Sequence, residues 1–409
     1  MRLMRRRALV ALALIFALVL LGAASRSFLD GLSLVIRAAD LHGAIRRVAD
    51  LATVPETEAL VQIPLHAQSV RARFYRPAGV PRQIVLLVTG LHPAGIDEPR
   101  LVALARELAE THVMVVTPEI PELLRFEITP AITDAIEQSA TWLVNDSGLT
   151  RDHRIGLMGI SFSGGLSVVA AGRPSLAGRV SFVFSFGGHD DLPDVLRYLC
   201  TGIEPPPPRG VRPPSPRGVR LEPDINDEAA PLVKRPPHDY GVAVILLGIA
   251  DRLVPADQAE PLRAAVRRFL WASHLDRVDK PQADREFAAL RDLATQLPEP
   301  SATLVGYVND RDVAHLGARL LPYVGAYGDA PALSPSKSPK PSAPVFLLHG
   351  TDDNVIPAIE SERLADDLRG YAPVRLLLTD LISHTEADRP VHVGDLMKLA
   401  AFWGDLLGR

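Results

Sequence analysis

Between Ile84 and Phe184 the chain changes its apolar period repeatedly, and that alternation restricts the folds open to it. Ile84-Val85-Leu86-Leu87-Val88, Val113-Met114-Val115-Val116, Ile155-Gly156-Leu157-Met158 and Val180-Ser181-Phe182-Val183-Phe184 are short apolar runs. Runs of that kind suit strands covered on both faces. Between them, apolar residues recur at helical spacing: Leu101, Leu104, Ala105 and Leu108, then Ile128, Ile132, Ile136 and Leu143, then Val168-Val169-Ala170. Strand and helix taking turns imply crossover connections, and crossovers build a mostly parallel sheet wrapped by helices. Upstream, 61–65 and 70–75 alternate apolar with polar residues, as an antiparallel pair with one wet face would.

The regularity stops after Gly188. Residues 204–237 are loaded with Pro, Arg and Gly, including Pro205-Pro206-Pro207-Pro208. Such a stretch cannot form helix interior or sheet ladder and reads as an extended, mobile loop. Residues 239–325 read mostly as helix, and 331–344 are again rich in Pro, Ser and Lys. Strand character resumes at 345–348 and 374–378, and 393–407 is helical. Those last strands have no partner except the first sheet. The expected organisation is therefore one α/β domain in two parts, 56–199 and 341–409, interrupted by a helical cap insert at 200–340 on two proline-rich hinges. Phe28, Leu32, Val35, Ile36 and Ile45 mark a stalk or packing helix within 26–55.

Residues 1–25 form a separate unit. Arg2, Arg5, Arg6 and Arg7 precede an apolar run from Ala8 to about Ala24, which Arg26 closes. Basic flanks stay in the cytoplasm, so the chain beyond the run is expected to be exported. Gly22-Ala23-Ala24 would suit signal-peptidase cleavage, yet the run is also long enough to remain as a membrane anchor. Either reading gives a periplasmic or membrane-anchored protein with its main domain outside the cytoplasm. A net charge of −4 with no basic stripe speaks against a nucleic-acid partner. The single cysteine, Cys200, excludes an internal disulfide and a thiolate metal cluster. No His, Asp or Glu spacing suggests a metal, and no cofactor is expected.

Three segments carry chemistry. Gly159-Ile160-Ser161-Phe162-Ser163-Gly164-Gly165 stands where a buried strand passes into a helix. A nucleophile on so tight a turn is strained, and small neighbours must let the backbone pass. Gly159 and Ser163 fill those places, giving G-x-S-x-S instead of G-x-S-x-G. A frame centred on Ser163 is the rival, but Met158-Gly159 ends the strand in the register that favours Ser161. The second segment is His349-Gly350-Thr351-Asp352-Asp353-Asn354-Val355-Ile356-Pro357, just past a strand. An aspartate there can accept a histidine N–H and fix its tautomer. The third is His384, in a loop six residues beyond Leu378. Side chains just past the ends of parallel strands converge on one rim.

Rival acids exist. Val242 to Pro255 imitates a strand ending in Asp251, although Asp239 can cap a helix there, which is the preferred reading. Asp190 and Asp191 also follow a core strand. His92 could line a pocket, though a histidine in such a loop is more often solvated; His392 starts the last helix and reads as structural.

From Gly90 through Gly165, and from Val345 onward, the chain resembles the α/β-hydrolase superfamily, most nearly its esterase and dienelactone-hydrolase-like members. Ser161 stands where dienelactone hydrolases have cysteine. The chain order Ser, Asp, His is the one this superfamily uses. The resemblance implies an α/β-hydrolase fold with a helical cap, and a serine hydrolase that cleaves a carboxylic ester through an acyl-enzyme. Ser161 would be nucleophile, His384 base, and Asp353 rather than Asp352 the acid. The amides of Phe162 and Leu91 would form the oxyanion hole, with Thr89-Gly90-Leu91-His92 in place of the common His-Gly pair. The implied partner is a small-molecule ester or lipid-like substrate, met from lipid or periplasm beneath the cap. A peptidase or thioesterase with the same triad, or a non-catalytic exported binding scaffold, are the alternatives.

Overall fold

The computed structural model describes residues 26–39, 41–66, 68–150, 152–207, 233–381 and 393–409. The apolar run at 8–24, the stretch 208–232, and the loop bearing His384 and His392 lie outside the described residues.

The strands are β1 (Glu56–Pro64), β2 (Ser69–Pro77), β3 (Gln83–Val88), β4 (Val113–Pro118), β5 (Ile155–Ile160), β6 (Val180–Phe186), β7 (Val345–Gly350) and β8 (Val374–Thr379). They form one eight-stranded sheet in the order β1-β2-β4-β3-β5-β6-β7-β8. β1 and β2 pair antiparallel, as do β2 and β4, and every later pair is parallel. β4 and β7 are buried along their whole length, which is why their sequences show no polar alternation.

The helices are α1 (residues 26–38), α2 (Ala44–Asp50), α3 (Pro99–Ala109), α4 (Pro121–Leu124), α5 (Pro130–Asn145), α6 (Phe162–Ala171) and α7 (Leu192–Thr201). After these come α8 (Asp239–Leu253), α9 (Ala256–Val278), α10 (Lys280–Ala294), α11 (Ser301–Asn309), α12 (Val313–Gly328), α13 (Ile359–Asp367) and α14 (Val393–Leu407). On one face of the sheet, Leu34 and Val35 of α1, Leu101 and Leu108 of α3, and Phe402 and Trp403 of α14 meet Val85, Leu87, Phe184 and Phe346. Glycine sets the α1–α14 spacing, since a Cβ on Gly31 would run into the Ala400 carbonyl and the Gly404 backbone. On the other face, α5 and α6 share one apolar cluster with the sheet and with α8, α9 and α12.

Two expectations need correction. The helix read across 27–51 is broken: α1 ends near residue 38, and α2 starts after Gly43, which takes a φ of +84°. α1 is a packing helix rather than a stalk, with Leu34, Val35, Ile36 and Arg37 all buried. Arg37 pairs with Glu110 and donates to the Glu107 carbonyl at 2.9 Å. The second proline-rich stretch is no free hinge either. Short turns at Pro331–Leu333 and Pro335–Lys337 pack beneath α5 and α7, where the Thr133 hydroxyl donates to the Ala332 carbonyl (2.7 Å) and the Leu192 amide to Ser334 Oγ (2.9 Å). Buried polar groups that are satisfied this way hold a segment in place. Among the described residues no helix is long and apolar enough to cross a membrane.

Candidate active site

The C-terminal ends of β3, β5, β6 and β7 lie side by side, so the residues just beyond these strands meet at one edge. Ser161 comes directly after β5 and opens α6 with φ +57° and ψ −133°. A positive φ is costly for any residue with a Cβ, of the order of 1–3 kcal/mol, and persists only where surrounding structure enforces it. Here the Ser161 amide donates to the Phe186 carbonyl (2.7 Å), and the Gly164 amide donates back to the Ser161 carbonyl (2.8 Å). Serine at the start of a helix ordinarily turns its hydroxyl onto a backbone N–H. Ser161 makes no such capping bond. Gly159 must be glycine, because a Cβ there would overlap the Ser163 backbone, and a Cβ on Gly164 or Gly165 would come within 2.5 Å of Ser185 Oγ or 2.7 Å of His189.

The sheet order, with its antiparallel start and the exchange of β3 and β4, together with a strained serine between β5 and α6, decides the architecture. This is the α/β-hydrolase fold.

No family model matches the chain, and no curated protein matches it. Among solved structures, it is similar to an esterase from Pyrobaculum calidifontis (14% identity, 87% of each chain covered, TM-score 0.44). It is also similar to a putative dienelactone hydrolase from Klebsiella pneumoniae (13% identity, 86% of this chain and 97% of that one, TM-score 0.39). A third is an acylaminoacyl peptidase from Pyrococcus horikoshii (12% identity, TM-score 0.41), matched over 84% of this chain but only 40% of that one. Residue roles therefore rest on this chain's own geometry.

Around Ser161 the α/β-hydrolase fold places two backbone segments. Phe162 is the first residue of α6, and the amides of a helix's first turn have no acceptor within the helix. The loop after β3 brings Gly90 so close that a Cβ on it would stand 3.2 Å from Ser161 Cβ. Leu91 comes next, half-buried, and packs on the main apolar cluster. Ser163, the rival nucleophile, is fully buried and donates its hydroxyl to the Thr89 carbonyl at 2.6 Å. Its hydroxyl ties the elbow to the β3 loop, a contact across 74 residues that no local pattern announces.

Asp353 lies beyond β7 on the same edge, with β6 between it and Ser161. Its Oδ1 accepts the amides of Val355 (2.8 Å) and Ile356 (3.0 Å), which fixes the carboxylate plane. Its Oδ2 faces Gly187, where a Cβ would sit 3.5 Å away, and His349 Nε2 at 3.5 Å. His349 is itself committed: Nε2 donates to the Ile356 carbonyl (2.9 Å), which leaves Nδ1 to accept from Ser361 Oγ (2.7 Å). Ser361 and His349 thus brace the acid loop from behind. Past β8, Asp380 accepts the Thr351 hydroxyl of that loop, so the chain heading toward His384 leaves from the same edge.

The other acids are placed differently. Asp251 is on α8, exposed, and paired with Arg263 at 2.5 Å, so the helical reading of 239–253 holds. Asp191 caps α7. Asp190 is buried against Glu360, whose Oε2 accepts the amides of both Asp190 (2.9 Å) and Asp191 (3.0 Å). Burial pushes Glu360 up to about 8 and Asp190 up to about 7, with the neighbouring carboxylates adding to the rise.

His92 is not a solvated loop residue. Its Nδ1 accepts the Ala94 amide (3.2 Å), and its ring meets His274 of α9 edge to face at 4.8 Å between centroids. Burial holds it down to about 4, with His274 adding to the fall, Glu98 opposing it, and Arg100 and Arg277 nearby. The contact brings α9 over the β3 loop, and the His238 amide donates to the Asn354 carbonyl (2.8 Å) at the other side. The insert therefore touches the rim at the Leu91 loop and at the Asp353 loop.

Proposed function

We propose that this chain is a serine hydrolase that cleaves a carboxylic ester through an acyl-enzyme on Ser161. One observation carries the reading: Ser161 is held at positive φ in the position of a helix cap, and its hydroxyl is not used for capping. Strain of that kind at a strand-to-helix turn suits a hydroxyl aimed out of the fold toward a substrate. In the proposed reaction His384 takes the hydroxyl proton, Ser161 Oγ attacks the ester carbonyl, and the negative charge is met by the amides of Phe162 and Leu91. His384 then protonates the departing alcohol, and water repeats the sequence to release the acid. Asp353 orients His384, its carboxylate already locked by the Val355 and Ile356 amides. From Asp380, the four-residue stretch to His384 can reach at most about 14 Å.

Fluorophosphonate labelling and hydrolysis of p-nitrophenyl esters of rising chain length test this. Ser161→Ala loses both while the fold survives, and Ser163→Ala keeps the label. Labelling retained in Ser161→Ala, and lost in Ser163→Ala, would overturn the assignment.

A further inference from the structure

The end of the sheet opposite Ser161 shows apolar side chains to water. α2 buries only Ala49, while Ile45 (48% exposed), Val48 (66%) and Leu51 (84%) stand outward. Leu29 of α1 and Val80 of the β2–β3 turn are exposed as well. These residues share one end of the molecule. The Ser33 hydroxyl donates to the Ala49 carbonyl (2.8 Å), and the Val54 amide to the Glu110 carbonyl (3.0 Å) in the turn before β4. Arg82, after Val80, donates its amide to the His112 carbonyl (2.9 Å) and pairs with Asp30 of α1 at 2.6 Å. The turns before β3 and β4 mark the N-terminal edge of the parallel strands, and Ser161 stands at the C-terminal edge.

Isolated exposed apolar residues need no explanation, but several gathered on one short helix and its neighbours do. The sequence leading into α1 indicates what covers them. The run from Ala8 to Ala24 carries no charge and is apolar on every side, so it has no polar face to present to water after covering a patch. Retained as an anchor rather than cleaved, the run suits only apolar surroundings, and by chain connection it leads to residue 26, at the edge of this patch. Among the described residues, Asp30 of the base is paired with Arg82 and Asp50 with Arg46 (2.9 Å). Arg26 and Arg47 are exposed. Apolar side chains flanked by arginines are the chemistry of a helix lying in the headgroup region of an anionic bilayer.

We propose that this base rests on a lipid surface, with Ile45, Val48, Leu51, Leu29 and Val80 dipping into the headgroup layer. The rim with Ser161 then faces away from that membrane, and substrate reaches it from the aqueous side instead of from the lipid below. The base would sit this way whatever chemistry Ser161 performs.

The test uses the full chain in vesicles of phosphatidylethanolamine and phosphatidylglycerol. Val48→Cys, Leu51→Cys and, on the cap, Trp271→Cys are each labelled with an environment-sensitive nitrobenzoxadiazole dye. Cys200 does not compete, because it is buried and its thiol is pushed up to about 12 by that burial. The dyes at 48 and 51 shift to the blue and are quenched several-fold by nitroxide-bearing lipids, while the dye at 271 is not. Dyes at 48 and 51 that stay in water, or that are shielded without lipid quenching, would overturn the proposal; the second result means a protein cover such as another copy. Quenching at 271 would overturn the orientation.

Discussion

Ser163→Ala separates two roles that a serine in this motif could have. The change removes one oxygen and leaves the Cβ, so the tight packing around Gly159 is untouched. It deletes a fully buried hydrogen bond of 2.6 Å and leaves the Thr89 carbonyl without that donor. An orphaned buried acceptor costs about 1–3 kcal/mol. If that cost is expressed in the loop bearing Leu91, with about 1.4 kcal/mol per tenfold, kcat falls roughly 5- to 150-fold. The ceiling is the 10²–10³ typical of losing one oxyanion donor outright. Fluorophosphonate labelling should still go to completion at a reduced rate, KM should move little, and the melting temperature should fall. A variant with wild-type kcat but lowered stability would show that the hydroxyl only holds the fold. A variant that cannot be labelled at all would return Ser163 to contention as nucleophile.

Asp353→Asn keeps an oxygen for the Val355 and Ile356 amides but favours the wrong histidine tautomer, so kcat should fall by about 10⁴, whereas Asp251→Asn should be near neutral; steady-state kinetics on one ester decide, and a more damaging Asp251 variant would refute the acid assignment. Glu360 is raised from 4.5 to about 8 by burial, so its proton is kept in the folded chain and lost from the unfolded one between those values. Stability from this group is therefore complete below about 4.5 and drains away as pH rises through about 8, with Asp190 contributing in the same direction up to about 7. Glu360→Gln, whose amide oxygen can still accept the Asp190 and Asp191 N–H groups, should flatten that slope; urea melts at pH 5 and pH 8 would show it, and an unchanged slope would locate the titration elsewhere.

The parts that were legible in the sequence are those with a physical reason to be local. The parallel strands announce themselves because both faces are buried, and α8 could be told from a strand despite Val242-Ala243-Val244-Ile245-Leu246-Leu247. Asp239 marks its start in the sequence, although in the fold Asp239 opens the helix and the His238 ring is the cap, accepting the Tyr240 amide (3.2 Å). The end of α1 was not legible, because Leu41, Ala44 and Ile45 continue an apolar pattern through a break set by backbone at Gly43. At the proposed site, the strand end before Ser161 and the turn bearing Asp353 were legible as local structure. The Ser163 tether, the bracing of Asp353 by His349 and Ser361, and the seam between His92 and His274 were not. Each depends on which loops become neighbours once the sheet has formed, and no spacing along the chain encodes that.

The insert shares a single apolar cluster with the sheet, and α8 is buried from Gly241 through Leu247 and again at Ile249 and Ala250. Swinging it aside would wet all of that surface at about 25 cal/mol per Å², a cost comparable to much of a domain's net stability. The insert is therefore part of the same packed core as the sheet, and the His92–His274 contact is one more tie between them. The shared cluster predicts that heating frees the insert and the sheet together. A single calorimetric transition is the expected outcome, with no separate melting of the insert.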